Sequence, residues 1–174
     1  ACSTSGPYAG TLIHEAGHAA AQKLLFQNCH PEIIVHADGS GFARYNYIPG
    51  LDWRKLTYFG ENLIGDPIRA EGIVALMGPV ADLVASCSTL ALGLKASSKR
   101  PELSNYLLAH SYARIANLFS YAISPLFYSN LGSEHDFQSI RERLGIHPLA
   151  AAVTILALPI LTYKVFAPKN ESST

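Results

Sequence analysis

Three long stretches of this sequence carry almost no charge, and they limit the folds that the chain can adopt. The only charged residue in residues 72–94 is Asp82, the only one in residues 103–128 is Arg114, and residues 144–163 have none apart from His147 when it is protonated. Each stretch reaches the length of about 20 residues that a bilayer-crossing helix needs. Apolar runs of this length also form the core helices of soluble domains. We expect a soluble, cytoplasmic domain with buried helices, and membrane association is the alternative.

Length, charge and cysteine content narrow the class of protein further. A chain of 174 residues is long enough to bury one core, so we expect a single domain over residues 1–166 and a disordered polar tail over 167–174. Thirteen basic and thirteen acidic residues leave no net charge, which argues against a nucleic-acid partner. The three cysteines, Cys2, Cys29 and Cys87, have no C-x-x-C spacing, which argues against a disulfide framework or a thiolate cluster and favours a reducing compartment.

The pattern of apolar and turn-forming residues predicts a mainly α fold with one small β-hairpin. Apolar residues at three- and four-residue spacing predict a helix from Gly10 to Phe26, and the turn residues 38–41 predict a hairpin over 32–48. Residues 49–68 lack a period and are expected to form a loop. Further helices are expected over 67–94, 101–124, 136–145 and the apolar run 144–163. The expected architecture is a helical bundle around a metal site.

The metal site is suggested by the sequence HEAGH within the first helix. His14 and His18 are four positions apart, which brings both imidazoles to one face of a helix and towards a single ion. Zinc accepts nitrogen ligands in a tetrahedral shell with one position open for water. Glu15 is then placed to act as the general base towards a metal-activated water. The alternative is an amphipathic helix whose histidines only join a polar network.

A third metal ligand has to come from elsewhere in the chain, because the helix continues without another histidine. Asp136 is the first choice, since it begins a helix after a Gly-Ser loop, where a carboxylate can be projected into a site. The competing interpretation of Asp136 is a helix N-cap. Glu134, His135 and Glu71 are the other candidates. Four isolated histidines are expected to be ordinary surface or core residues: His30, His36, His110 and His147.

Four segments resemble, in order, the peptidase domain of the FtsH-type AAA proteases. They read HEAGHAAA, PEIIVHADGSGFARYNY, EGIVALMGPVADLV and GSEHDFQSI. The resemblance implies a zincin-like HExxH helix with His14, His18 and Asp136 as zinc ligands and Glu15 as the base. The chain has no G-x-x-x-x-G-K-[ST] loop, so a separate unfoldase is an expected partner.

The same order of motifs is also similar to the site-2 type of intramembrane metalloprotease. In that family an HExxH helix, a GP-x-A-[ND] helix and a late aspartate assemble within the bilayer. Residues Gly78 to Asp82 match the second motif, and Asp136-Phe137 stands where that family has Asp-Gly. This family is the second choice.

The expected function is therefore hydrolysis of peptide bonds by a zinc metalloendopeptidase. An unfolded or flexible peptide is the expected substrate, and it could pair with the strand over residues 42–47 by strand addition. Arg44 and Tyr45 or Tyr47 are candidate contacts for it. A catalytically silent domain that binds zinc or peptides is the alternative of a different class, and the oligomeric state is left open.

Overall fold

The computed structural model describes residues 5–47, 49–128 and 135–168 and is mainly helical, with 71% helix. The predicted fold class, mainly α with a small β-hairpin, is confirmed at this level. The elements in chain order are α1 Ser5–Leu25, β1 Cys29–Val35, β2 Gly41–Tyr47, α2 Tyr58–Leu63, α3 Pro67–Ala96, α4 Pro101–Ile123, a 3₁₀ turn Ser124–Leu126, α5 Asp136–Leu144 and α6 Pro148–Phe166.

The chain divides into two compact units. The first contains Ala1–Asp82 and Tyr128–His147, and the second contains Leu83–Phe127 and Pro148–Thr174. Helix α3 therefore contributes residues to both. The single domain over residues 1–166 stays a prediction. The expected disordered tail lies largely outside the described residues, which end at residue 168.

Helix α1 supplies one side of the core of the first unit. Its last turns bury Ala21 and Leu25, which cluster with Phe26, Leu56 and Val74. This is the three- and four-residue spacing expected for an apolar face. The helix begins at Ser5, earlier than the predicted Gly10. Pro7 is compatible with this start, because backbone amides in the first turn of a helix have no intrahelical acceptor, and the missing N–H of a proline therefore costs no hydrogen bond.

The predicted hairpin is present, and its register determines which backbone groups of each strand point away from the other strand. The His36 amide donates to the Ser40 carbonyl at 2.7 Å, so these residues form a hydrogen-bonded pair. Hydrogen-bonded and non-hydrogen-bonded pairs alternate along an antiparallel ladder. Ala43 and Ile33, three pairs further on, therefore form a non-hydrogen-bonded pair. The backbone N–H and C=O of Ala43 therefore point away from β1. Pro31, opposite Tyr45, lies at the same kind of position, where its missing N–H costs no ladder bond.

The loop predicted over residues 49–68 is wrong in part, because it contains helix α2. Thr57 caps this helix, its side-chain oxygen accepting from the Gly60 amide at 3.0 Å. Within α2, an added Cβ on Gly60 would lie 2.8 Å from the Leu25 carbonyl oxygen. Glycine is present for a close backbone approach, which a single sequence does not reveal.

The second unit is built from the later part of α3 with α4 and α6. Ser104 and Ser111 on α4 are buried, and their hydroxyls donate to the carbonyls of Gly93 and Ser86 on α3, each at 2.8 Å. Large apolar side chains of α6 are exposed, among them Val153 at 66% and Val165 at 71%. Helices α3 and α6 are both long and apolar enough to cross a membrane.

Candidate metal centre

The two histidines of the HEAGH segment lie side by side on α1, as their spacing predicted. Their Nε2 atoms are 3.1 Å apart, and the two rings are nearly perpendicular, with 80° between their planes. His18 is buried and His14 is half-buried. The helix thus presents two imidazole nitrogens to the same point in space.

Asp136, the first residue of α5, brings a carboxylate to that point. Its Oδ2 lies 2.9 Å from His14 Nε2, and its Oδ1 lies 3.4 Å from His18 Nε2. Ligand atoms of these three residues all lie within 4.8 Å of one another, so the three could hold a metal ion. The helix N-cap is His135 and not Asp136, so the carboxylate is directed to the histidines.

The spacing of these atoms suits a small cation. An ion with tetrahedral bonds of about 2.0–2.1 Å holds its ligand atoms about 3.3 Å apart. The two Nε2 atoms are 3.1 Å apart, which is close to that value, and the Asp136 carboxylate places one oxygen 2.9 Å from His14 Nε2 and the other 3.4 Å from His18 Nε2.

The other nitrogen of each imidazole ring is held by an acceptor. His18 Nδ1 donates to the Val74 carbonyl at 2.7 Å, and His14 Nδ1 donates to Asp82 Oδ2 at 2.7 Å. This leaves the two Nε2 lone pairs and the Asp136 carboxylate converging, an arrangement of electron donors that a cation would neutralise. Asp82 and Val74 thus orient the histidines as outer partners of a metal ligand usually do.

The electrostatics of the cluster favour positive charge. Burial lowers the pKa of His14, but hydrogen bonds to Asp136 and Asp82 outweigh burial and raise that pKa to about 10. Burial raises the pKa of Asp136, but hydrogen bonds to His14 and His18 outweigh it and lower that pKa to about 2. The carboxylates that favour a proton on these nitrogens also favour a metal cation there.

Two glycines allow α1 and α3 to approach at the centre. An added Cβ on Gly78 would collide with the imidazole of His18 and lie 2.8 Å from His14 Nε2. An added Cβ on Gly17 would collide with the Met77 carbonyl and lie 2.9 Å from the Ala81 Cβ. The rings therefore rest against the bare backbone of α3. A glycine inside a helix, such as Gly17, can indicate a close approach of this kind from the sequence, whereas no packing contact was predicted for Gly78.

Glu15 is buried and directed towards the hairpin. The outward-pointing backbone amide of Ala43 donates to its carboxylate, which agrees with the strand register. Burial raises the pKa of Glu15, and this is opposed mainly by the nearby charges of His18 and His14. Tyr8 and Thr11 lie on the same side of α1, and their hydroxyls donate to the carbonyls of Ala37 and Gly39 in the hairpin turn. Helix α1 thereby fixes the hairpin turn, and Glu15 holds the outward-pointing amide of Ala43 on β2.

The remaining candidate ligands lie elsewhere or outside the described residues. The Glu71 carboxylate is paired with Arg143 and Arg54 and lies outside the triad. His135 precedes the helix that carries Asp136, and Glu134 is outside the described part of the chain.

The isolated histidines are ordinary surface or packing residues, as expected. His30, His36 and His147 are exposed, and His110 stacks on Tyr106 with 6.2 Å between the ring centres.

The candidate substrate contacts on the hairpin remain predictions. Arg44 is exposed on β2, opposite Glu32. The side chains of Tyr45 and Tyr47 are not described.

Asp82 and Val74 contact the two histidines of the candidate centre, and the sequence analysis had proposed neither as a site residue. Asp82 had been noted as the acid of the Gly78–Asp82 motif and as the single charge in an apolar run, and that isolation was the available signal. A backbone carbonyl such as that of Val74 leaves no signal in a sequence.

Comparison of the chain with family models, with curated proteins and with solved structures found no match. The case for a function therefore depends on the geometry of the centre.

Proposed function

We propose that this protein is a zinc-dependent metallopeptidase with His14, His18 and Asp136 as ligands and Glu15 as general base. The observation that carries the proposal is the convergence of two imidazole Nε2 atoms and one carboxylate, with separations of 2.9–3.4 Å, beside a buried glutamate. The resemblance to FtsH-type peptidases predicts this arrangement, and two elements of the first unit, α1 and α5, supply its residues.

The donor set favours zinc among the common metals. Imidazole nitrogen combined with one carboxylate is a set that zinc accepts in catalytic sites, whereas calcium and magnesium prefer oxygen ligands alone. Three protein ligands leave one position open for water. When bound, zinc would lower the pKa of a water and polarise the carbonyl of the bond to be cleaved.

Glu15 is the residue that would receive and return the proton during hydrolysis. Its buried position raises its pKa towards the range in which a carboxylate can both accept and donate a proton. The Ala43 amide, which donates to its carboxylate, fixes its orientation. The proton would then pass to the leaving amine.

The outer edge of β2 supports a peptide as the substrate, except at the Ala43 amide, which already donates to Glu15. An extended segment could pair with this edge and would then lie beside Glu15 and the metal ligands. Such pairing requires an unfolded or flexible segment. A folded substrate would need a separate unfoldase.

The replacement of Glu15 by Gln tests catalysis separately from metal binding. We expect zinc to remain bound at one equivalent while cleavage of an unstructured, fluorescently labelled protein falls by about 10²–10⁴-fold. Glu61→Gln, at an exposed carboxylate of α2, is the matched control and should cleave at the wild-type rate. Unchanged cleavage by Glu15→Gln would remove Glu15 from the reaction, and zinc binding without cleavage in the wild type would favour the catalytically silent alternative.

A second candidate, an intramembrane metalloprotease of the site-2 type, is supported by α6. This helix has 19 residues, and its most apolar window is only 17% buried. Its length of about 28 Å is close to the thickness of a bilayer core. In the second unit, buried serines bond neighbouring backbone while large apolar side chains face outwards, which is the pattern of helices packed in lipid.

Phase partitioning of the expressed chain tests this second candidate. A membrane protein should collect in the detergent-rich phase and require detergent to remain dispersed. A chain that is monodisperse in buffer alone would exclude the intramembrane form and leave the soluble metallopeptidase.

A further inference from the structure

The proposed metal ligand Asp136 lies on a short helix whose other end is held by an ion pair with a buried carboxylate. Glu71, in the first turns of α3, has a side chain that is only 7% exposed. Its Oε2 lies 2.5 Å from Arg143 Nη1 on α5, and its Oε1 lies 3.2 Å from Arg54 Nε. Arg143 therefore satisfies Oε2 directly, whereas Oε1 lies within ion-pair distance of Arg54 but forms no hydrogen bond.

Arg143 and Asp136 share one face of α5. They are at positions 143 and 136, two helical turns apart, and Ser139 and Ile140 between them are buried on the same side. The C-terminal end of α5 packs directly on the backbone of α3 at Gly72, since a Cβ added there would lie 2.9 Å from the Arg143 Cβ. The helix is thus fixed to α3 at one end and directed at the two histidines at the other.

We propose that Glu71 and Arg143 form a positioning pair that sets the distance of Asp136 from the metal. This inference depends on the proposed metal site and adds a function for residues outside it. A helix of nine residues has little stability of its own, so its position has to come from tertiary contacts. The pair provides a directional contact, because a guanidinium meets a carboxylate in a defined geometry.

The first test is the zinc affinity of the full chain with Arg143→Gln, measured by competition with a chelating indicator. We expect a loss of about 10–100-fold, the range seen when the outer partners of metal ligands are removed. Arg141→Gln is the matched control, since Arg141 is exposed on the same helix and undergoes the same change. Its zinc affinity should equal that of the wild type.

A double-mutant cycle distinguishes positioning from general destabilisation. If the pair acts through Asp136, Arg143→Gln should weaken zinc binding in the wild type but have no further effect in an Asp136→Ala background. Equal affinity of Arg143→Gln and wild type, or the same loss in both backgrounds, would overturn the inference. Should Arg143→Gln fail to fold, Arg143→Lys, which keeps the charge without the planar fork, is measured in the same cycle against the same outcomes.

Failure of this inference differs from failure of the proposed function. A wild type that binds no zinc would reject the metal site and the positioning pair together. A wild type that binds zinc, with a cycle that shows no coupling, would reject the positioning pair alone. Neither result depends on hydrolysis.

Discussion

The two compact units bury polar groups of different kinds. In the first unit the buried polar side chains include Glu15, His18 and Asp136, whereas in the described part of the second unit they include the serines Ser86, Ser104 and Ser111. Burying an ionisable group costs far more free energy than burying a hydroxyl. A hydroxyl that donates to a carbonyl of a neighbouring helix is satisfied by packing alone. The comparison supports assigning the proposed chemistry to the first unit.

The largest expected effect of a single substitution is the loss of a ligand from the first unit. Asp136→Ala removes the carboxylate that closes the site and leaves two histidines. We expect zinc affinity to fall by more than the roughly 100-fold that follows the loss of an outer partner. Competition titration measures it, and the exposed carboxylate substitution Glu142→Ala on the same helix provides the control. Wild-type affinity in Asp136→Ala would mean that a different residue is the third ligand.

The same substitution at two glycines of α3 compares the two units directly. Gly78→Ala would force a methyl group against both imidazoles, whereas Gly93→Ala would meet the Leu108 side chain at 3.0 Å, which can move. We expect Gly78→Ala to lower the free energy of unfolding by about 1–3 kcal/mol and to weaken zinc binding as well. Gly93→Ala should leave zinc binding unchanged. Thermal denaturation with and without zinc measures both effects, and equal effects of the two variants would contradict the assignment.

Local sequence patterns were sufficient to predict the hairpin and every described α-helix except α2, because those elements depend on patterns within the segment itself. The spacing of His14 and His18 belongs to the same class of signal, as does the position of Asp136 at a helix start. Each of these features can be recognised within about ten residues of sequence.

Features that depend on contacts between distant segments could not be predicted. The pairing of Asp82 with His14 joins positions that are 68 residues apart. Glu71 was considered as a ligand because it is an acid near an apolar helix start, but the two arginines that pair with it come from a loop and from α5. Helix α2 was missed because its six residues are too few to show a helical period, and its Gly60 meets the Leu25 carbonyl through a tertiary contact that the sequence does not reveal.

A smaller effect is expected for the outer partner of His14. Asp82→Asn keeps an acceptor for the His14 Nδ1 proton but removes the negative charge, so we expect zinc affinity to fall by about tenfold. Glu61→Gln is the control, as an exposed carboxylate undergoing the same chemical change. If both variants bind zinc equally well, Asp82 does not support the metal site and its contact with His14 is only structural.

The smallest effect is expected in the second unit, at the buried hydroxyl of Ser111. Ser111→Ala removes the donor to the Ser86 carbonyl but leaves no buried donor unpaired, so unfolding should become easier by only about 0.5–1.5 kcal/mol. Ser120→Ala, where the exposed hydroxyl bonds within its own helix, should cost less. Zinc affinity should be unchanged in both variants, since neither residue belongs to the unit that holds the centre. Chemical denaturation measures the free energy of unfolding, and a parallel titration measures the zinc affinity. A loss of zinc binding in Ser111→Ala would contradict the assignment of the metal centre to the first unit alone.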